Sequence, residues 1–195
     1  MSGRRGLLVV VSGPSGVGKD TVLARVFELD PTLSYSISYT TRAPRPGERD
    51  GVDYHFVDDA EFDRMVRDGD LLEWARVHNH RYGTGRRQVE AARAAGQDLA
   101  FNVDVQGGMS IRAQVPDALL VFLAPPSPDE LARRRSERGT EDAPDLARRA
   151  ADAEIEMGYA DRYDAVVVND DVERAAAEVL QLIQRRREEG GASDS

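Results

Sequence analysis

The segment Gly13-Pro14-Ser15-Gly16-Val17-Gly18-Lys19 follows directly on the apolar run Leu7 to Ser12 and directly precedes a helical pattern. Glycines let a backbone wrap round a phosphate with its N–H groups turned inward. The start of a helix adds positive potential, and a lysine can bridge terminal phosphates. Gly13, Ser15, Gly16, Val17, Gly18 and Lys19 therefore suit binding of a nucleoside triphosphate. The residue after the lysine is Asp20 rather than a hydroxyl residue, and Thr21 follows. A carboxylate here repels the β- and γ-phosphates unless a cation lies between them. Two readings of Asp20 stand side by side. In one it serves Mg²⁺, directly or through bound water, with Thr21 as a supporting hydroxyl. In the other it turns away and caps the helix.

A second constellation lies further along. Arg42 and Arg45 sit in the Pro/Gly-rich loop Ala43 to Gly51, and Tyr54 and Tyr82 follow. Two guanidinium groups on a stiff loop with two phenolic hydroxyls form a donor cluster suited to a phosphate dianion. His78 and His80 have the spacing that points two side chains to one side of a strand. With no cysteine and no convincing third ligand, they read as exposed hairpin residues rather than a metal site. Trp74 reads as packing for its local sheet.

These residues need a scaffold. The runs Leu7 to Ser12, Leu99 to Val105, Leu119 to Ala124 and Ala165 to Val168 are apolar without alternation, as in strands of a parallel sheet covered on both faces. The first helix starts near Gly18, carries Val22, Leu23, Val26 and Phe27 on one side, and stops before Asp30 and Pro31. Another opens with Ser127 as cap, Pro128 in the first helical position and Glu130 closing a capping box. The last runs from about Val172 to Arg187 with Val172, Ala176, Val179 and Ile183 inward, leaving Gly190 to Ser195 as a frayed tail. Between Ser34 and Gly96 polar alternation and aromatics mark a small α+β insertion able to hinge. Arg133 to Arg149 is charged, helical and poor in large apolar residues, which suits a lid.

The 195 residues, 41% hydrophobic and 6% aromatic, suffice for one domain with a sizeable core. There is no cysteine, which excludes disulfides and thiol chemistry and fits a cytoplasmic chain. With 26 basic against 35 acidic residues the net charge is −9. Bulk affinity for nucleic acid or an anionic membrane is excluded, and an anion must be held locally. The first apolar run breaks at Gly13, far short of the ~18 residues of a membrane span.

The run Ser38-Tyr39-Thr40-Thr41-Arg42-Ala43-Pro44-Arg45-Pro46-Gly47-Glu48, then Gly51-Val52-Asp53-Tyr54-His55-Phe56, Leu72-Glu73-Trp74-Ala75 and Tyr82-Gly83-Thr84, closely resembles guanylate kinase. So do Asp104-Val105-Gln106-Gly107, Pro125-Pro126-Ser127, Arg138-Gly139-Thr140 and Val168-Asn169-Asp170-Asp171, in the family's order and spacing. The resemblance implies an α/β P-loop kinase with a parallel five-stranded core sheet (residues 6–33, 98–126 and 151–188). It adds a GMP-binding insertion (34–97), a helical lid (127–150) and a disordered tail (189–195). It implies transfer of the γ-phosphate of ATP to GMP, and to dGMP, with Mg²⁺ and with no nucleic acid or membrane as partner. Monomer and homodimer both stay open.

Residue by residue, the resemblance places Lys19, Arg45, Arg138 and Arg149 around the migrating phosphoryl group. It assigns ATP to the phosphate-binding loop with Asp20, Thr21, Arg134 and Asn169. It assigns GMP to Ser38, Arg42, Arg45, Tyr54, Glu73, Tyr82, Gly83, Thr84 and Asp104, with Glu73 accepting from guanine N1–H and N2–H while Ser38 and Thr84 donate to O6. Mg²⁺ falls to Asp20, Thr21 and Asp104, through waters. The family more often has a carboxylate where this chain has Asn102, whose amide can still bond a ribose hydroxyl or a metal-bound water. A non-catalytic, peptide-binding relative is disfavoured by the intact glycines and Lys19. A ribosyl-bisphosphate phosphokinase, which shares Lys-Asp in its phosphate loop, has no need of the guanine pocket.

Overall fold

A computed structural model describes residues 4–77, 79–136 and 152–192. Strand β1 (Leu8–Ser12) is buried along its whole length and forms the middle of a five-stranded sheet. Its neighbours are β7 (Leu99–Asn102) and β8 (Leu119–Ala124), in parallel register Leu8 to Leu99 and Val9 to Leu119. Beyond them lie β2 (Ser34–Tyr35) and β9 (Ala165–Val168), also parallel, giving the order β2-β7-β1-β8-β9.

Alternate side chains of β1 serve opposite faces, as the two-residue period of a strand requires. Val9 and Val11 pack with Val22, Leu23 and Val26 of α1 (Lys19–Leu29) and with Ala176, Val179 and Ile183 of the last helix. Leu8 and Val10 pack on the other face with Phe101, Phe122, Tyr163, Ile111 of α4 (Val105–Gln114) and Val89 of α3 (Arg86–Ala94). Helices on both faces explain the unbroken apolar runs of β1, β7 and β8; at β9, expected to be covered likewise, Val166 and Val168 are exposed because the strand lies at the sheet edge.

A second sheet, β4-β3-β6-β5, comprises β3 (Ser38–Thr40), β4 (His55–Phe56), β5 (Leu71–Val77) and β6 (His80–Gly85). Helix α2 (Asp59–Asp68) packs Phe62 and Met65 with Leu71 to give this sheet its own small core. Asp58 caps α2 by accepting from the Glu61 N–H at 2.8 Å.

Several boundaries differ from the sequence expectations. The apolar run Leu99 to Val105 is strand only to Asn102; Asp104 then caps α4, accepting from the Gly107 N–H at 2.7 Å. Ser34 and Tyr35, expected at the start of the insertion, pair with β7 as the edge of the core sheet. In α5 (Pro128–Ser136), Ser127 accepts from the Glu130 N–H at 3.1 Å as expected. The Glu130 carboxylate does not close the box, because Arg133 and Arg134 engage it and hold it down to about 2. Residues 152–157 form a helix, α6. The last helix, α7 (Val172–Ala192), continues past Arg187 into the expected tail. Extending a formed helix costs little, and an Arg186–Glu189 pair at 3.7 Å spans the added turn. Residues 137–151, which include most of the expected lid 127–150, and residues 193–195 lie outside the described residues.

Candidate active site

The loop between β1 and α1 takes a path that only glycine allows. Gly13 and Gly18 have φ of 147° and 97°, and a Cβ on them would fall 2.2 Å from the Leu123 carbonyl oxygen and 2.6 Å from Asn169 Nδ2. Gly18 is also the N-cap of α1, with no side-chain cap. Val17 is buried, and its carbonyl oxygen accepts from Asn169 Nδ2 at 2.7 Å and Arg134 Nη1 at 3.4 Å. Lys19 Nζ lies along the loop, donating to the carbonyl oxygens of Gly13 at 2.7 Å and Pro14 at 3.3 Å. Asp20 does not cap the helix. It accepts from the amide of Asn102, which ties the first turn of α1 to the end of β7.

Opposite the loop, a β-bulge shapes β5. Leu71 faces Gly85 and Glu73 faces Thr84, leaving Leu72 as the extra residue. Leu71 and Leu72 thereby enter different cores, and Glu73 turns into the cleft. Bulges re-aim side chains in this way beside functional sites. Glu73 is 7% exposed. Burial pushes its carboxyl up to about 7 against a lowering by the Thr84 hydroxyl, which donates to Oε1 at 2.7 Å, and the Asp104 charge adds to the rise. Thr84 is fully buried behind Glu73. Its hydroxyl proton is thus directed at Glu73, rather than at an acceptor in the cleft as expected from sequence. The first turn of α4 abuts Glu73 as well, since a Cβ on Gly107 would lie 2.9 Å from Oε2.

Arg42 is 9% exposed and carries its guanidinium over the rings of Tyr54 and Phe56, 5.4 and 5.8 Å from their centroids. The Tyr82 hydroxyl lies beside the same guanidinium, and Tyr54 and Tyr82 stand edge to face at 5.9 Å. Burial and then the Asp20 charge raise the Tyr54 hydroxyl, so it acts as a donor at neutral pH.

One open cleft of about 680 Å³ unites these groups. Of the residues expected at the site it is lined by Ser15, Gly16, Gly18, Lys19, Asp20, Thr21, Ser38, Arg42, Arg45, Tyr54, Glu73, Tyr82, Gly83 and Asp104. A smaller cavity on the other side of the loop is lined by Gly16, Gly18, Thr21, Arg134, Asn169, Asp170 and Val172. Asn169 Oδ1, though buried, has no hydrogen-bond partner among the described residues. Gly13, Val17 and Thr84 stand behind these walls. Arg138 and Arg149 lie outside the described residues, as does His78; His80 starts β6 opposite Val77. Trp74 meets Phe62 edge to face with ring centroids 6.2 Å apart, yet it is nearly half exposed, so it covers the small core from outside rather than filling it.

Sequence reasoning missed Tyr35, Glu48 and Tyr159 as cleft residues. Glu48 was visible in the loop motif but without a partner; Tyr35 and Tyr159 carry no local signal. Asp20, Thr21 and Asp104 present oxygen donors to the cleft. Among the described residues no three His, Asp or Glu side chains form a metal cage. An oxygen set of this kind fits Mg²⁺, which binds through one or two carboxylates, waters and substrate phosphates.

The family model described as guanylate kinase matches residues 5–186. A guanylate kinase of Nocardia farcinica is 51% identical over 181 residues, covering 92% of this chain and 94% of the relative. One from Thermobifida fusca is 50% identical over 176 residues, 90% of each chain. A crystal structure of guanylate kinase from Anaplasma phagocytophilum aligns with a TM-score of 0.77 at 31% identity, covering 93% of this chain and 86% of that one.

Proposed function

The chain belongs to the guanylate kinase family, an ATP:GMP phosphotransferase, and from that premise we propose which residues perform the transfer. GMP lies against the second sheet, its base on Glu73 and Ser38 and its phosphate on Arg42, Arg45, Tyr54 and Tyr82. ATP lies on the glycine loop and Lys19, its base toward Arg134 and Asn169. The observation that carries this reading is the convergence of the glycine loop, the arginine pocket and the buried Glu73 on one cleft.

Guanine offers two adjacent N–H donors, and a carboxylate offers two acceptors. Bound guanine thereby stabilises the ionised Glu73 that burial disfavours. Adenine lacks the N1 donor and leaves the desolvated carboxylate without its base partners, held by the Thr84 hydroxyl alone, the situation that gives the largest discrimination between analogues. Thr84 fixes the carboxylate, and Ser38 donates to O6. dGMP keeps all of these groups and serves as a second acceptor. The orphaned Oδ1 of Asn169 supplies an acceptor for an exocyclic amine of the ATP base.

Transfer then requires alignment and charge neutralisation rather than covalent chemistry. The arginine pocket holds the acceptor phosphate, and the loop N–H groups with Lys19 hold the donor. Arg45, with Arg138 and Arg149 from outside the described residues, neutralises charge on the moving group. Asp20, Thr21 and Asp104 would hold Mg²⁺ through waters, and the ion would supply positive charge against the triphosphate. Asn102 orients Asp20 for this task. The chain works in the cytoplasm, where both nucleotides are available.

Two substitutions test the division of the cleft. Arg42→Ala should raise KM for GMP at least ~10-fold with KM for ATP unchanged, the size of a lost charge-assisted contact. Asn169→Ala should raise KM for ATP and leave GMP unaffected. The same response from both variants would contradict the assignment.

A further inference from the structure

The loop between β3 and β4 carries a carboxylate that the reading above leaves without a role. Glu48 Oε1 accepts from Arg42 Nη2 at 2.8 Å and Oε2 from Arg42 Nη1 at 2.9 Å, a two-pronged fork. Oε2 also accepts from the Arg45 backbone N–H at 2.7 Å, while the Glu48 N–H donates to the Arg45 carbonyl at 3.0 Å. Arg42 Nη1 spends its other hydrogen on the Ala43 carbonyl at 2.8 Å. One carboxylate thus closes the turn that carries both arginines of the pocket.

The wiring leaves a defined remainder. A guanidinium has five N–H donors in a rigid plane. Glu48 and Ala43 take three of Arg42's, at the Nη1 and Nη2 end. Nε–H and the second Nη2–H form the opposite two-pronged edge, the geometry that suits a phosphate. Stacking on Tyr54 and Phe56 fixes the plane of the group, and Glu48 fixes its rotation within that plane. Glu48 faces the cleft, yet an anion in a pocket of anion-binding donors gains nothing by touching a phosphate. Its effect must run through the arginines. Hydrogen bonding from Arg42 keeps the carboxyl below the usual range, so it stays charged across neutral pH.

We propose that Glu48 is a positioning residue for the acceptor phosphate: it clamps one edge of Arg42 and the backbone of Arg45 so that the other edge of Arg42 is presented to GMP. The proposal rests on the assignment of the GMP phosphate to Arg42. Releasing the clamp returns rotamer freedom to a long side chain that binding must then freeze, a loss on the order of 10-fold in affinity.

The test compares the unmodified protein, Glu48→Gln, Glu48→Asp, Arg42→Ala and the Arg42→Ala/Glu48→Gln double variant. The measurements are steady-state kinetics and inhibition by guanosine, which has the base and no phosphate. Glu48→Gln should raise KM for GMP about 10-fold and leave KM for ATP and guanosine inhibition within about two-fold, since the clamp acts only on the phosphate. Glu48→Asp, which keeps the charge on a shorter arm, should lie between. In the Arg42→Ala background, Glu48→Gln should change KM for GMP by less than about two-fold, as coupled residues do. Equal weakening of GMP and guanosine would make Glu48 merely structural and overturn the proposal. So would unchanged or tighter GMP in Glu48→Gln, or additive effects in the double variant. If Arg42→Ala leaves GMP unaffected, the phosphate assignment fails and takes the proposal with it. If Arg42→Ala weakens GMP and Glu48→Gln does not, the role of Glu48 alone is overturned.

Discussion

Replacing Glu73 with Gln should make the free protein more stable and the enzyme worse. Glu73 is 7% exposed, and its carboxyl is pushed up to about 7 from an ordinary value of 4.5, chiefly by burial. A carboxyl raised on folding favours the folded state in its protonated form; that advantage is complete below pH 4.5 and is lost as pH rises through 7. Relative to a carboxyl that never ionises, the free protein is therefore less stable by about 1 kcal/mol at pH 5, where only the unfolded chain ionises it, and by about 3 kcal/mol at pH 8, at 1.36 kcal/mol per pKa unit. Glutamine has nearly the same shape, keeps an oxygen for the Thr84 hydroxyl and carries no charge. Denaturant unfolding of ligand-free protein should show Glu73→Gln more stable than the unmodified chain, with the gap widening by about 2 kcal/mol from pH 5 to pH 8. In the same variant KM for GMP should rise at least ~10-fold, because one acceptor replaces two and hydrogen bonds to charged groups are the stronger kind. A gap that stays constant with pH, or a destabilised variant at pH 8, would refute the view that Glu73 is held ionised against its environment for the sake of the base.

Two further substitutions probe the loop side. Asp20→Asn should raise the Mg²⁺ concentration for half-maximal rate several-fold, because the carboxylate is held by Asn102 at the cleft rather than capping α1; an unaltered Mg²⁺ titration would remove Asp20 from the metal site. Gly18→Ala places a Cβ 2.6 Å from Asn169 Nδ2 at φ 97°. It should cost on the order of 1 to 3 kcal/mol in denaturant unfolding and raise KM for ATP more than KM for GMP.

What the sequence made legible follows from how local each signal is. The limits of β8 matched its apolar run because a strand buried on both faces has no other pattern to offer; β9 matched its run in length, but as an edge strand it leaves Val166 and Val168 exposed. The glycine loop was equally plain, since few backbones need glycine at 13, 16 and 18 in succession. Strand β2 was hidden because two partly exposed residues, Ser34 and Tyr35, become strand only through pairing with β7. Asp104 was placed in a strand because the apolar run ends later than the ladder does. The pairing of Asp20 with Asn102 joins residues 82 positions apart, and each residue, seen alone, lacked its counterpart. The bond from the Thr84 hydroxyl to Glu73 was hidden for a similar reason: the bulge that turns Glu73 toward it depends on which core receives Leu72.

The central claim is that a buried carboxylate and an arginine pocket select GMP as acceptor, and a coupled assay of ADP release with GMP, AMP and ribose 1,5-bisphosphate tests it most directly. The account predicts kcat/KM for GMP at least ~10³ above AMP, from the Glu73 that adenine leaves without its base partners, and no measurable turnover of the sugar bisphosphate. Comparable use of GMP and AMP, or preference for ribose 1,5-bisphosphate, would contradict it.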